Sequence, residues 1–202
     1  MSLIIGLGWL IASGSLVVAA EAKTENFRRI DQAQYAGSKK CAECHAAHFD
    51  GWKDTAHNKM IRVPVADGPQ RTVVADFAQP SDKRNFEFKD VKWVIGSRWK
   101  QRFIGEVNGQ EVVFPAQWSV AEKKWQSYTG KSDWWYDTHK EWQTRSNFKL
   151  CAGCHSTGVD HVRETWTELN ITCESCHGPG KAHSAAPKID NIVNPARLST
   201  AR

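Results

Sequence analysis

The alternation of apolar and polar positions divides the chain into stretches of different character. Residues 3–20 are apolar, with interspersed Gly and Ser and no charge, and residues 21–40 are polar and read as an extended lead-in. From 41 to 60 the pattern suits a helix with Trp52 near its middle, which Pro64, Gly68 and Pro69 then break. Between 72 and 128 the spacing changes. Phe86-Glu87-Phe88 alternates, and residues 91–95 are rich in β-formers. Residues 102–107 and 111–114 flank Asn108-Gly109, a strong hairpin signal because both positions tolerate positive φ. Residues 117–120 and 125–128 read as a further pair of strands. From Asp133 the chain reads as helical or irregular, with 164–170 as a helical turn. After Lys181 it becomes a Pro- and Ala-containing tail of little periodicity.

The cysteines change this picture. All six lie in Cys-x-x-Cys pairs, and each pair is followed at once by histidine: Cys41-Ala42-Glu43-Cys44-His45, Cys151-Ala152-Gly153-Cys154-His155 and Cys173-Glu174-Ser175-Cys176-His177. This spacing is that of a c-type haem attachment site. Two thiols one helical turn apart add across the porphyrin vinyl groups, and the next residue delivers an imidazole to the iron. A disulfide framework gives no reason for the histidines. With 8 histidines in 202 residues, three such followers by chance have odds on the order of 1 in 10,000. Zinc ribbons combine their pairs as four thiolates or as two thiolates and two histidines, and three pairs do not fill whole four-thiolate sites. The expectation is three covalent c-type haems, on Cys41/Cys44, Cys151/Cys154 and Cys173/Cys176, with His45, His155 and His177 as proximal iron ligands.

Length and charge are read in that light. At 202 residues the chain fits one domain or two small ones. Three haems supply apolar plates for it to wrap, and the ten tryptophans suit such packing. The expected fold is mainly α and irregular, haem-wrapped, with a small antiparallel β insert (72–128) between the first and second haem sites. That insert has no cysteine or histidine, so its plain role is to cover haem edges and shape a partner surface. The formal charge of +5 is cancelled by as many as six haem propionates. The basic residues form no run of five or more, so nucleic acid is not an expected partner.

Residues 1–22 read as a signal peptide or an N-terminal anchor, and 23–202 as a triple-haem domain. The apolar run resembles a secretory signal, although no Lys or Arg precedes it, and small residues near 18–22 suit cleavage. Uncleaved, its eighteen residues are about the minimum for spanning a bilayer and would allow membrane association through 3–20. Either way the protein is expected to be periplasmic or otherwise extracytoplasmic, where covalent haem attachment takes place.

Each proximal histidine leaves one axial position on its iron. His48, His57, His139, His161 and His183 are available, enough for bis-histidine ligation throughout, with Met60 as the usable thioether. A resemblance narrows the choice. The first site followed by Trp52-Lys53-Asp54-Thr55-Ala56-His57 looks like the Trp-x-x-Ser/Thr-x-His pattern of multihaem cytochromes related to the tetrahaem electron acceptor of hydroxylamine oxidoreductase. The second half is similar to the haem domain of tetratricopeptide-linked multihaem cytochromes, through Cys151-Ala152-Gly153-Cys154-His155-Ser156-Thr157, Thr165-Trp166-Thr167-Glu168-Leu169-Asn170-Ile171 and Cys173-Glu174-Ser175-Cys176-His177-Gly178-Pro179-Gly180. The resemblance covers roughly residues 38–185. It implies a β-rich stretch between the first two sites and distal ligands at His57, His139 and His183. His48 and His161 are reserves. No tetratricopeptide pattern follows in this sequence, so repeat-mediated docking is not carried over.

The function expected is electron transfer between a donor and an acceptor redox protein, as a free carrier or as a subunit of a larger complex or haem assembly. Catalytic residues are not expected. The rival is a multihaem oxidoreductase acting on a small nitrogen or sulfur compound, which needs one iron with an open position. Only 18 residues separate Cys154 from Cys173, so the second and third sites are expected to lie together.

Overall fold

The Asn108-Gly109 turn organises the largest element of the structure. A computed structural model describes residues 31–129, 131, 133 and 140–198. The apolar run 3–20 and His139 lie outside the described residues. In chain order, α1 (Ser38–Ala42) and α2 (Ala46–Lys53) precede β1 (Ile61–Arg62). Then come β2 (Trp93–Ile95), β3 (Lys100–Val107), β4 (Gln110–Ser119) and β5 (Lys124–Ser127). They are followed by α3 (Asn147–Leu150), α4 (Ala152–His155), β6 (Ser156–Thr157), β7 (Glu168–Leu169), α5 (Cys173–His177) and α6 (Lys181–Ala185). Strands β1 to β5 form one antiparallel sheet in sequence order, and β6 pairs with β7. Asn108 and Gly109 have φ of 52° and 77°, the left-handed pair that a two-residue turn between twisted strands requires.

The sheet is covered on both faces, which explains the weak alternation of its strands. One face carries Val94, Phe103, Phe114, Ala116, Trp118 and Trp125, closed by Val73, Phe86 and Val91. The other carries Ile61, Ile95, Ile104, Val113 and Tyr128, and Leu150, Cys151 and Leu169 pack against it. The β-rich unit is therefore the main hydrophobic core of the described chain. It also begins earlier than residue 72, because Ile61 pairs with Ile95.

Local geometry corrects several sequence readings. Phe86-Glu87-Phe88 is no strand: Glu87 and Asp90 form a reciprocal capping box that starts a 3₁₀ turn at Phe88–Asp90. Phe86 instead stacks on Phe114, with ring centroids 4.2 Å apart. The helix expected over 41–60 is broken twice. His45 takes a non-helical φ of −119° and ψ of 43°, and α2 stops at Lys53 ahead of a 3₁₀ turn at His57–Lys59. Residues 164–170 are not a helical turn, because Glu164 and Asn170 have φ of 52° and 74° and the chain between them forms β7. The tail contains α6, which carries His183.

Burial is uneven. Residues 39–60 and 181–198 contain no buried side chain, although the first stretch holds α2. Among the described residues no helix is long and apolar enough to cross a membrane.

Candidate functional site

Each Cys-x-x-Cys-His segment closes a single helical turn. The His45 N–H donates to the Cys41 carbonyl at 2.9 Å, and the His155 N–H to the Cys151 carbonyl at 3.2 Å. The third segment is α5 itself. Thiols three residues apart lie on one side of such a turn, with the histidine directly beyond. In all three copies the first cysteine is half-buried, the second is exposed, and neither is in a disulfide. Burial pushes the Cys41 thiol up to about 11, with Cys173 adding to the effect. It also pushes Cys151 up to about 12 against the pull of Arg102, and raises Cys173.

The third segment touches both others. Helix α1 packs on α5, which brings Cys41 near enough to Cys173 for each thiol to influence the other. Two carboxylates hold that contact. Glu174, only 3% exposed, accepts from the backbone N–H groups of Ala36 and Gly37, both at 2.8 Å, and of Gly180 at 2.6 Å. Glu168 accepts from Ser38 N at 2.9 Å and Ser38 Oγ at 2.7 Å. Toward the second segment, Thr157 Oγ1 lies 2.6 Å from Ser175 Oγ and accepts from Thr172 N at 3.0 Å. The expected proximity of the second and third segments is thus present in the polypeptide, and the first joins them. From the opposite side, Trp52 Nε1 donates to the Ile171 carbonyl at 2.9 Å, and Ile171 N donates to the His57 carbonyl at 3.2 Å.

The second segment is seated on the sheet. Arg102 of β3 stacks over the Tyr128 ring at 4.1 Å, and Tyr128 donates to Asp133 Oδ2 at 2.7 Å. Burial first, and the Arg102 charge second, pull the His155 imidazole below its ordinary pKa. That keeps the ring neutral, the form that coordinates metals. Its Nδ1 is buried without a hydrogen-bond partner.

Backbone carbonyls set the tautomers of other rings. His177 Nδ1 lies 2.8 Å from Val193 O, His161 Nδ1 2.6 Å from Phe148 O, and His183 Nδ1 3.1 Å from Lys188 O and 2.9 Å from Asn191 Oδ1. A carbonyl only accepts, so each Nδ1 carries its proton and the lone pair of the neutral ring sits on Nε2. His161 lies against Gly153 within the second segment, where a Cβ would stand 3.4 Å from its Cε1. His48 lies beside His45, with ring centroids 6.3 Å apart. His57 is exposed. Glu174, Glu168, Thr157, Arg102 and Asn191 were not singled out from sequence. Glu174, lying between two thiols, offered the one faint signal.

These residues fit a flat apolar group bonded at each cysteine pair. Among the described residues no three Cys, His, Asp or Glu side chains converge on a point that could hold a metal ion, so the pairs do not build a four-thiolate site there. An eight-residue helix such as α2 is marginal without packing, yet no side chain of residues 39–60 is fully buried within the polypeptide. A flat apolar group bonded at Cys41 and Cys44 would supply a packing face for that stretch.

The chain matches the family described as cytochrome c554 and c-prime over residues 40–84 and 116–178, more than half of its length. The gap in that match falls on β2, β3 and the first part of β4. Cytochrome c-554 of Nitrosomonas europaea is 40% identical over 178 residues, an alignment taking in 85% of this chain and 50% of that protein. The outer cell wall cytochrome OcwA superposes with a TM-score of 0.61 at 25% identity, over 80% of this chain and 35% of its own. The undecahaem cytochrome from the S-layer of Carboxydothermus ferrireducens gives 0.54 at 27% identity, over 80% and 23%. The chain therefore spans about half the length of the curated relative it matches, and less of the two solved chains.

Proposed function

The chain belongs to the cytochrome c554 and c-prime family, and on that premise we propose that it binds three covalent haems and passes electrons between redox proteins outside the cytoplasm. It is a multihaem c-type cytochrome; the count, the ligands and the location are our reading. Cys41/Cys44, Cys151/Cys154 and Cys173/Cys176 would hold the groups through thioethers, with His45, His155 and His177 as proximal ligands. His57, His139 and His183 are proposed on the distal side, with His48 and His161 in reserve. Each bound haem supplies a reversible one-electron change at iron. The protein's own residues place and insulate these centres. Glu174 and Glu168 hold the first attachment turn on the third, Thr157 ties the third to the second, and the sheet shields the second.

The observation that carries this reading is the threefold repetition of one geometry: a single turn, one half-buried and one exposed thiol, and an imidazole beyond. Imidazoles at His177 and His183 whose Nδ1 is engaged by backbone carbonyls and Asn191, leaving Nε2 to face a metal, support bis-histidine ligation, which places potentials below those of methionine-ligated sites. We place 1–22 as a leader or anchor and 23–202 as the haem domain. Partners are redox proteins, with the chain acting alone or within a larger haem assembly.

Intact mass and the pyridine haemochrome assay on protein from a haem-maturing, export-competent host should return three haems per chain. Spin-resonance spectra should be wholly low-spin, and the reduced protein should not bind carbon monoxide. A colourless product with free or cross-linked thiols would end the haem reading. Carbon monoxide binding at one iron would replace the carrier by an oxidoreductase acting on a small nitrogen or sulfur compound.

A further inference from the structure

We propose that residues 186–193 form a clip that orients two imidazoles, and that Asn191 is the positioning residue through which it sets the donor strength of His183. This rests on the reading of His183 as an iron ligand.

The Asn191 amide is engaged at both ends. Oδ1 accepts from His183 Nδ1 at 2.9 Å and from the Lys188 N–H at 3.3 Å, while Nδ2 donates to the Ala186 carbonyl at 2.9 Å. Turning the amide over would set Nδ2 against the Lys188 N–H and Oδ1 against the Ala186 carbonyl. The surrounding groups therefore fix its orientation. With the Lys188 carbonyl as a second acceptor at 3.1 Å, His183 Nδ1 holds its proton and Nε2 is the atom available to iron. The same segment grips α5. Val193 O accepts from His177 Nδ1 at 2.8 Å, and Val193 N donates back to the His177 carbonyl at 3.0 Å. Residues 186–193 have no helix or strand and no buried side chain. Core packing does not hold this segment in place; hydrogen bonds do.

An acceptor on Nδ1–H raises the basicity of the opposite nitrogen. A more basic Nε2 favours ferric over ferrous iron and lowers the potential of that centre, since hydrogen bonding around an axial ligand is one of the protein's levers on haem. Asn191 thus acts on the iron through His183, without touching it.

The test uses the full holoprotein with Asn191→Ala, Asn191→Asp and, as reference, His183→Ala, read by redox titration and low-temperature spin resonance. Asn191→Ala should raise the midpoint of one haem, Asn191→Asp should lower that same midpoint, and the other two should stay in place. Shifts of opposite sign are not produced by mere loosening of the tail. Unchanged potentials and spectra in both variants, or shifts in the same direction, overturn the proposal. If His183→Ala turns one iron high-spin while the Asn191 variants change nothing, the ligand reading survives and the clip does not. If His183→Ala leaves every iron low-spin with unchanged potentials, both fall.

Discussion

Glu174 stands between the two thiols of the third segment, and three backbone N–H groups from two separate parts of the chain converge on its carboxylate. Removing a buried acceptor strands its donors, which costs more than the bond itself contributes. Glu174→Ala should therefore destabilise the holoprotein by about 3 kcal/mol, read from denaturant unfolding followed by circular dichroism. Glu174→Gln should cost less, because one amide oxygen remains. The sequence marked position 174 only as one of the two variable residues of a motif. Its burial arises because α1 and α5 meet there, residues some 130 positions apart, and no local pattern encodes such a meeting. The cysteines and the histidines that follow them differ in kind: the chemistry they suggest is carried by spacing alone, and each copy closes a single helical turn.

At the scale of elements, the hairpin was legible because Asn-Gly has few other places to be. Phe86-Glu87-Phe88 misled because alternation over three residues cannot be told from a short turn with two apolar side chains. The capping pair Glu87 and Asp90 tipped it toward the turn. The helix over 41–60 was read too long, since one turn suffices for the attachment motif and His45 then leaves helical geometry. Gly105 in β3 shows what sheet packing demands. A Cβ there would run into the Phe114 ring and the Asp90 carbonyl, so Gly105→Ala should cost about 1–3 kcal/mol from overpacking. Gly109→Ala, strained at φ of 77° but facing open space, should cost only about 1 kcal/mol. Thermal unfolding of the two variants beside the parent checks the order.

For the whole molecule, the third segment is the junction. It is tied to the first through Glu174, which binds the backbone N–H groups of Ala36 and Gly37, and to the second through Ser175 and Thr157. Under the three-haem reading, Cys173→Ala with Cys176→Ala should remove one haem by mass and slow electron equilibration between the remaining two, relative to a parent whose route runs through the third. Stopped-flow reduction followed in the haem bands tests this. Equilibration as fast as in the parent would mean that the first and second centres communicate directly.

By itself, the order of residues determined the chemistry: dithiol pairs with adjoining imidazoles, repeated three times, and a β-rich stretch set between the first two. Those are local facts, written within five residues or within one hairpin. Which segments meet and which carboxylates bind their backbones were decided only by the tertiary structure. Those contacts join positions far apart in the chain, and their energy depends on burial that exists only once the chain has closed on itself.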